Sequence, residues 1–212
     1  MDTITVSQMK EFFLHTKDIF EEKIEELSAL DAAIGDGDHG VSMLKGYREV
    51  ALAIKDKEYD DIGALWLDCA KILMKEIGGT CGPLFASLFM KGGMLARNKS
   101  EVDIKTLAEM FIAGNAGVKT MGKAGPGEKT MVDALEPAAL TLDVCAKAEK
   151  PLGEAVKLAA KAASDGAIAT ADMLAVKGRA RYQGERSLGH QDAGATSVAY
   201  IFAVLEKIVN DR

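Results

Sequence analysis

Cysteine is scarce and unevenly placed. The chain has three, Cys69, Cys81 and Cys145, an odd number with no paired spacing. That argues against a disulfide framework and suits a reducing cytoplasm. Histidine is equally scarce: His15, His39 and His190 lie far apart, and no close His or Cys pair offers zinc-ligand spacing. No block of Lys and Arg could track a nucleic-acid backbone. Acidic residues outnumber basic ones, 32 to 26, for a net charge of -6, so nucleic acid is not an expected partner. No apolar run is long enough to span a bilayer, and the N-terminal MDTITVSQMKEFF has no apolar signal core. A cytoplasmic protein without a membrane partner is expected. No segment reads convincingly as a strand.

What is present is helical periodicity, almost throughout. TVSQ forms a capping box, in which Thr5 accepts from the amide of Gln8 and Gln8 reaches back. Phe12, Phe13, Ile19, Phe20, Ile24 and Leu27 then recur at three- and four-residue spacing on one stripe. Further helices are expected over about 41–54 and 62–76, after GGTCGP, over DIKTLAEMFIAGNAGVKTM, after GPGEKT, over 152–176 and over AGATSVAYIFAVLEKIVND. That makes about eight helices, and their short connections favour antiparallel neighbours in an all-α, up-and-down bundle. No linker, repeat or low-complexity tract divides the chain, so residues 1–212 are read as one domain.

Glycine is concentrated rather than spread. It clusters in GDGDHG, EIGGTCGP, MGKAGPGEKT, KGRARYQGERSLGH and QDAGATS. Alternate loops of an up-and-down bundle share an end, and the loops after the first, third, fifth and seventh helices are the glycine-rich ones. An ordinary helix end needs one C-cap glycine, so this gathering points to a functional end.

The first of these loops, in LDAAIGDGDHGVS, crowds Asp31, Asp36 and Asp38 together. Carboxylates this close repel unless a positive charge sits between them. The three are open to reading as solvated loop residues, as caps or as ligands of a hard cation such as Mg²⁺ or Ca²⁺. An EF-hand does not fit: with Asp36 first, Val41 stands where glycine is required and Tyr47 where glutamate is. GGTCG, directly before a helix, is either a tight turn or an anion cradle of backbone amides. GKAGPGEKT misses the phosphate-binding P-loop, because Glu128 intervenes before Lys129 and Thr130 and the segment follows a helix instead of a strand. Arg179 and Arg186 can each take a phosphate in bidentate fashion or pair with surface glutamates.

Four pieces, LDAAIGDGDHG, GGTCGPLF, GKAGPGEKTMVDAL and KGRARYQGERSLGHQDAGATS, span the chain in an order that resembles the nucleotide-binding L subunits of dihydroxyacetone kinases. The resemblance implies a barrel of eight antiparallel helices holding ADP (or ATP) and two Mg²⁺ in loops at one end. By matching motif, Asp31, Asp36 and Asp38 are the implied Mg²⁺ ligands. His39, Gly40, Val41 and Ser42 are the implied phosphate-side loop, and Gly79, Thr80 and Cys81 a second phosphate contact. Gly122 and Met131 fall beside adenine and ribose. Arg179 and the Asp192-Ala193-Gly194 turn close the site. Cys81 departs from a family position often filled by serine, and Ala193 from one often filled by proline. His39 is left open as a phosphate contact, a support for a ligand or a plain loop residue.

The family has two branches. In one, ATP is an ordinary substrate and this domain is commonly fused to the sugar-binding domain. In the other, ADP stays bound, a phosphohistidine subunit of the phosphotransferase system supplies the phosphoryl group, and a separate subunit holds dihydroxyacetone. The DHG of the acidic loop, and a chain that stops just after its last helix, resemble the second branch; a free-standing kinase subunit using exchangeable ATP stays open as the alternative. Two rival classes remain at this level. One is a nucleotide-binding regulatory module that contacts a transcriptional regulator; the other is a purely structural helical adaptor.

Overall fold

The computed structural model describes residues 3–211. Nine α-helices occur among them: α1 Val6–Glu22, α2 Ile24–Ile34, α3 His39–Ile54, α4 Ile62–Glu76, α5 Cys81–Leu95, α6 Ile104–Gly122, α7 Val132–Lys147, α8 Leu152–Ala169 and α9 Ala193–Asn210. The expected all-α architecture is found, with three differences in detail. The first expected helix is broken at Lys23 (φ -101°, ψ 11°) into α1 and α2. Its apolar spacing runs on across the break, which is why the sequence reads as one helix. The seventh stops at Ala169, where Thr170–Asp172 tightens into a 3-10 turn. Two three-residue strands, β1 Thr3–Thr5 and β2 Glu101–Asp103, pair antiparallel; they are too short to show the alternation that marks a strand.

Local chemistry sets the helix starts. The capping box at α1 is formed: Gln8 N donates to Thr5 Oγ1 (3.4 Å) and Thr5 N donates to Gln8 Oε1 (3.1 Å). Asp61, Asp103 and Asp192 cap α4, α6 and α9 by accepting from the amides of Ala64, Thr106 and Ala195. Each cap satisfies an amide that the helix itself leaves unpaired.

Each of α3 to α9 packs on its neighbour in sequence, and α9 returns to α1 and α2, closing the ring. The interior is filled with side chains. Trp66 of α4 meets Phe13, Phe89 and Phe111 edge-on at 6.2, 5.1 and 5.8 Å between ring centres, and Phe111 lies tilted by 39° against Phe202 of α9 at 4.7 Å. One aromatic cluster thus joins α1, α4, α5, α6 and α9, in geometries that favour the ring quadrupoles. Gly92 makes room for it: a Cβ there would lie 2.6 Å from Trp66 Cζ3. A mid-helix glycine costs helix propensity, and here it lets the indole approach the α5 backbone.

With neighbours antiparallel, the connections 35–38, 77–80, 123–131 and 170–192 emerge at one end. The β1–β2 pair, which precedes α1 and α6, marks the other. No helix is long and apolar enough to cross a membrane among the described residues.

Candidate functional site

The acidic loop is folded by its own carboxylate. Asp31 lies in the last turn of α2. Its Oδ2 accepts from the amide of His39, the first residue of α3, at 3.2 Å, and its carbonyl accepts from the Gly35 amide at 2.5 Å. This strap turns 35–38 back on itself and carries Asp36 and Asp38 toward Asp31. Each of the three offers a carboxylate oxygen within 4.8 Å of the others, the one such cluster of His, Cys, Asp or Glu among the described residues. Asp31 is partly buried; Asp36 and Asp38 are exposed. Converging hard oxygen donors, open to solvent on one side, fit a hydrated divalent cation of the Mg²⁺ kind.

Gly40 sets how α3 leaves this loop. A Cβ on it would fall 2.2 Å from the Ile24 carbonyl oxygen and 2.6 Å from Ser28 Oγ, so the first turn of α3 lies directly on α2. Neither α3 nor α5 carries a side-chain cap. Their leading amides, around Gly40 and Val41 and around Thr80 and Cys81, are the donors an anion at a helix N-terminus requires; the Ser42 amide already donates to the Asp38 carbonyl at 2.9 Å.

His39 joins three helices. Its Nε2 lies 2.8 Å from Ser197 Oγ on α9, and its Nδ1 lies 3.6 Å from Cys81 Sγ at the start of α5. Burial pushes its pKa down to about 4, opposed by the charge of Asp31, so the ring is neutral at pH 7. Burial likewise pushes the Cys81 thiol up to about 12, helped by the charges of Asp192, Asp31 and Asp38. Cys81 is therefore a neutral thiol, a weak donor.

The far wall comes from the second half of the chain. Arg179, in the 170–192 segment, pairs with Asp36 across the opening. Asp192 caps α9 through the Ala195 amide at 2.7 Å. Burial raises its pKa to about 6, opposed by that amide and assisted by the charge of Asp133. A Cβ on Gly194 would lie 3.6 Å from Met131 Cβ, and one on Gly122 would lie 3.1 Å from Leu84 of α5. Asp133 holds the α6–α7 loop by accepting from the amides of Gly127 and Thr130.

The fold thus gathers Asp31, Asp36, Asp38, His39, Cys81 and Arg179 by direct contact, and sets Met131 against the Asp192-Ala193-Gly194 turn. Gly79 and Thr80 are exposed at the turn into α5, and Val41 is exposed in the first turn of α3. Sequence reasoning missed Ser197, the partner of His39. Its signal was available: it lies four residues after Ala193, on the same face of α9. Lys129 was weighed only as a failed P-loop lysine.

This fold is shared with part of a solved dihydroxyacetone kinase. The native-form crystal structure from C. freundii superposes with a TM-score of 0.75 at 26% identity, covering 95% of this chain and 34% of that one. The same kinase solved with AMP-PNP and Mg²⁺ superposes with a TM-score of 0.72 at 24% identity, over 98% of this chain and 34% of that one. This chain therefore spans about a third of those structures' length. The DAK2 domain family matches residues 33–207, and the chain belongs to that family. Among curated relatives, the ADP-binding subunit of the PEP-dependent dihydroxyacetone kinase of Escherichia coli is 36% identical over 96% of this chain and 97% of its own length. The ADP-binding subunit of the PTS-dependent enzyme of Lactococcus lactis is 38% identical over 90% and 93%. The L-erythrulose kinase of Pectobacterium atrosepticum is 34% identical over 92% of this chain and 33% of its own length.

Proposed function

We propose that this chain is the ADP-binding kinase subunit of a phosphotransferase-dependent dihydroxyacetone kinase. In this reading it takes a phosphoryl group from a phosphohistidine subunit and passes it to dihydroxyacetone held by a separate subunit. The observation that carries the reading is the convergence of three carboxylates beside two uncapped helix N-termini. It is supported by near-full-length similarity to separate ADP-binding subunits and by the AMP-PNP and Mg²⁺ bound to the structural relative.

Asp31, Asp36 and Asp38 would hold the two Mg²⁺ ions. When bound, the ions offset the charge of the nucleotide phosphates and of the group in transfer. Amides of the first turns of α3 and α5 would donate to phosphate oxygens, from Gly40 and Val41 within the His39–Ser42 loop and from Gly79–Cys81; the amides of His39 and Ser42 are held by Asp31 and Asp38. Gly122 and Met131 would lie on the adenine and ribose side. Arg179, paired with Asp36 here, would supply positive charge for the phosphates, and the Asp192–Gly194 turn would close the far side. His39, neutral and held between Ser197 and Cys81, fixes the relative positions of the α3, α5 and α9 starts and carries no charge to the site. No general base is assigned here, because the sugar lies on the partner subunit.

The test is nucleotide retention. The purified chain is expected to carry ADP through extensive washing in Mg²⁺. Reconstituted with a phosphohistidine donor subunit and a dihydroxyacetone-binding subunit, it is expected to phosphorylate the sugar without added ATP. Free exchange of the nucleotide, with transfer only when ATP is supplied, would replace this reading with an ATP-dependent kinase. Binding without any transfer would replace it with a regulatory module.

A further inference from the structure

Lys129 is the one lysine or arginine that is buried among the described residues, with 2% of its surface exposed. A buried ammonium is costly unless its donors are satisfied. Here Nζ donates to the carbonyls of Thr170 (2.6 Å) and His190, which are 41 and 61 residues away. Burial lowers its pKa, and the charges of Asp192 and Asp172 oppose that. The backbone of Lys129 is left-handed, at φ 58°, a conformation that glycine adopts without strain and other residues resist. A glycine would make the turn more cheaply, so the position is held for the side chain.

The segments it reaches are themselves knitted together. Thr170 is fully buried; its hydroxyl donates to the Ala167 carbonyl (2.5 Å) and accepts from the Asp192 amide (2.8 Å). The Gly189 amide donates to the Ala171 carbonyl (2.8 Å), and the Val176 amide to the Glu128 carbonyl (3.5 Å). Two pieces therefore meet at one cation, the α6–α7 loop with Met131 and both ends of the 170–192 segment with Arg179; the far end of that segment leads into the Asp192-Ala193-Gly194 turn. The acidic loop 35–38 gives the Lys129 ammonium no acceptor, and it meets the 170–192 segment through the Arg179–Asp36 pair.

We propose that Lys129 is a positioning residue that locks these two segments, and through them the start of α9, into one arrangement and so sets how slowly a bound nucleoside diphosphate leaves. The inference rests on the nucleotide-binding reading above. It separates two functions of the site: retention of the nucleotide depends on Lys129, whereas cation binding by Asp31, Asp36 and Asp38 does not.

Lys129→Met in the full chain keeps side-chain length and the backbone demand of a non-glycine residue while removing all donors. Two readouts are taken. In ligand-free protein, amide hydrogen exchange across residues 170–192 is expected to accelerate. With Mg²⁺ present, release of labelled ADP is expected to be about tenfold faster, the factor produced by about 1.4 kcal/mol, with the Mg²⁺ concentration dependence unchanged. Lys129→Arg, which keeps donors, is expected to restore slow release in part; a role of side-chain bulk alone, which Met already fills, predicts no difference between the two variants. ADP release at the wild-type rate from folded Lys129→Met overturns the proposal, as does unchanged exchange in 170–192. Should that variant fail to fold, Thr170→Val removes the hydroxyl on the other side of the tie and must speed release in the same way; a wild-type rate there is equally fatal. A wild-type chain that binds no ADP points instead to failure of the nucleotide reading, and shows it before any variant is compared.

Discussion

Asp38→Asn should stabilise the ligand-free protein while abolishing most of what Mg²⁺ and ADP add. The carboxylate oxygens of Asp31, Asp36 and Asp38 lie within 4.8 Å of one another. Two unit charges at that distance repel by about 0.9 kcal/mol in water and by about 3.5 kcal/mol at an effective dielectric of about 20. Asp38 is exposed, and salt screens exposed charges. Arg179 also sits beside Asp36 and offsets part of one pair. The lower figure applies, so removing one charge relieves about 1 kcal/mol, or roughly 2–4 °C of Tm for a chain of this size. Asn is as good an N-cap residue as Asp, and Asp38 makes no side-chain cap bond to α3, so helix capping does not confound the comparison. Mass action works the other way for the wild type: ligand at about a hundred times its Kd adds about 2.7 kcal/mol, or roughly 5–10 °C. Thermal melts in chelator, and again with Mg²⁺ and ADP, measure both. A variant that melts below wild type in chelator, or that keeps the full upward shift with ligand, refutes the cation-site reasoning. A site that is strained when empty and stable when filled is the expected signature of carboxylates placed for function.

Two further outcomes follow from the packing and from burial. Gly40→Ala places a methyl 2.2 Å from the Ile24 carbonyl oxygen; separating α2 from α3 should cost about 1–3 kcal/mol or more, visible as a lower urea midpoint, and an unchanged midpoint would show that the helices part freely. His39 has a folded pKa of about 4, below the usual histidine value near 6.5, so between those values the unfolded chain binds more protons and stability falls as pH falls. The effect should approach about 3 kcal/mol; denaturation in chelator at pH 7 and pH 4 should show wild type losing that much more than His39→Gln, and equal losses would place the ring in water.

Much of this molecule was legible because it is written in local rules. The Thr5–Gln8 capping box and the apolar stripe from Phe12 to Leu27 are set by residues within a few positions of each other. The acidic loop was legible for the same reason: the Asp31 strap onto the His39 amide closes over eight residues. The break at Lys23 was not, because the apolar spacing continues through it. Neither was the β1–β2 pair, whose central partners, Ile4 and Val102, lie far apart in sequence and whose strands are three residues long.

By itself, then, the sequence determined the helices, the loops that carry the chemistry and the alternation that sends those loops to one end, since periodicity, caps and chain connectivity act over short range. Only the tertiary structure decided which loops touch. It set His39 between Cys81 and Ser197, brought Arg179 to Asp36, and buried Lys129 under two carbonyls from distant segments. Those contacts depend on ring closure and on the glycine approaches at Gly40 and Gly92, where backbone meets backbone or ring. They are properties of packed helices, and no spacing along the chain encodes them.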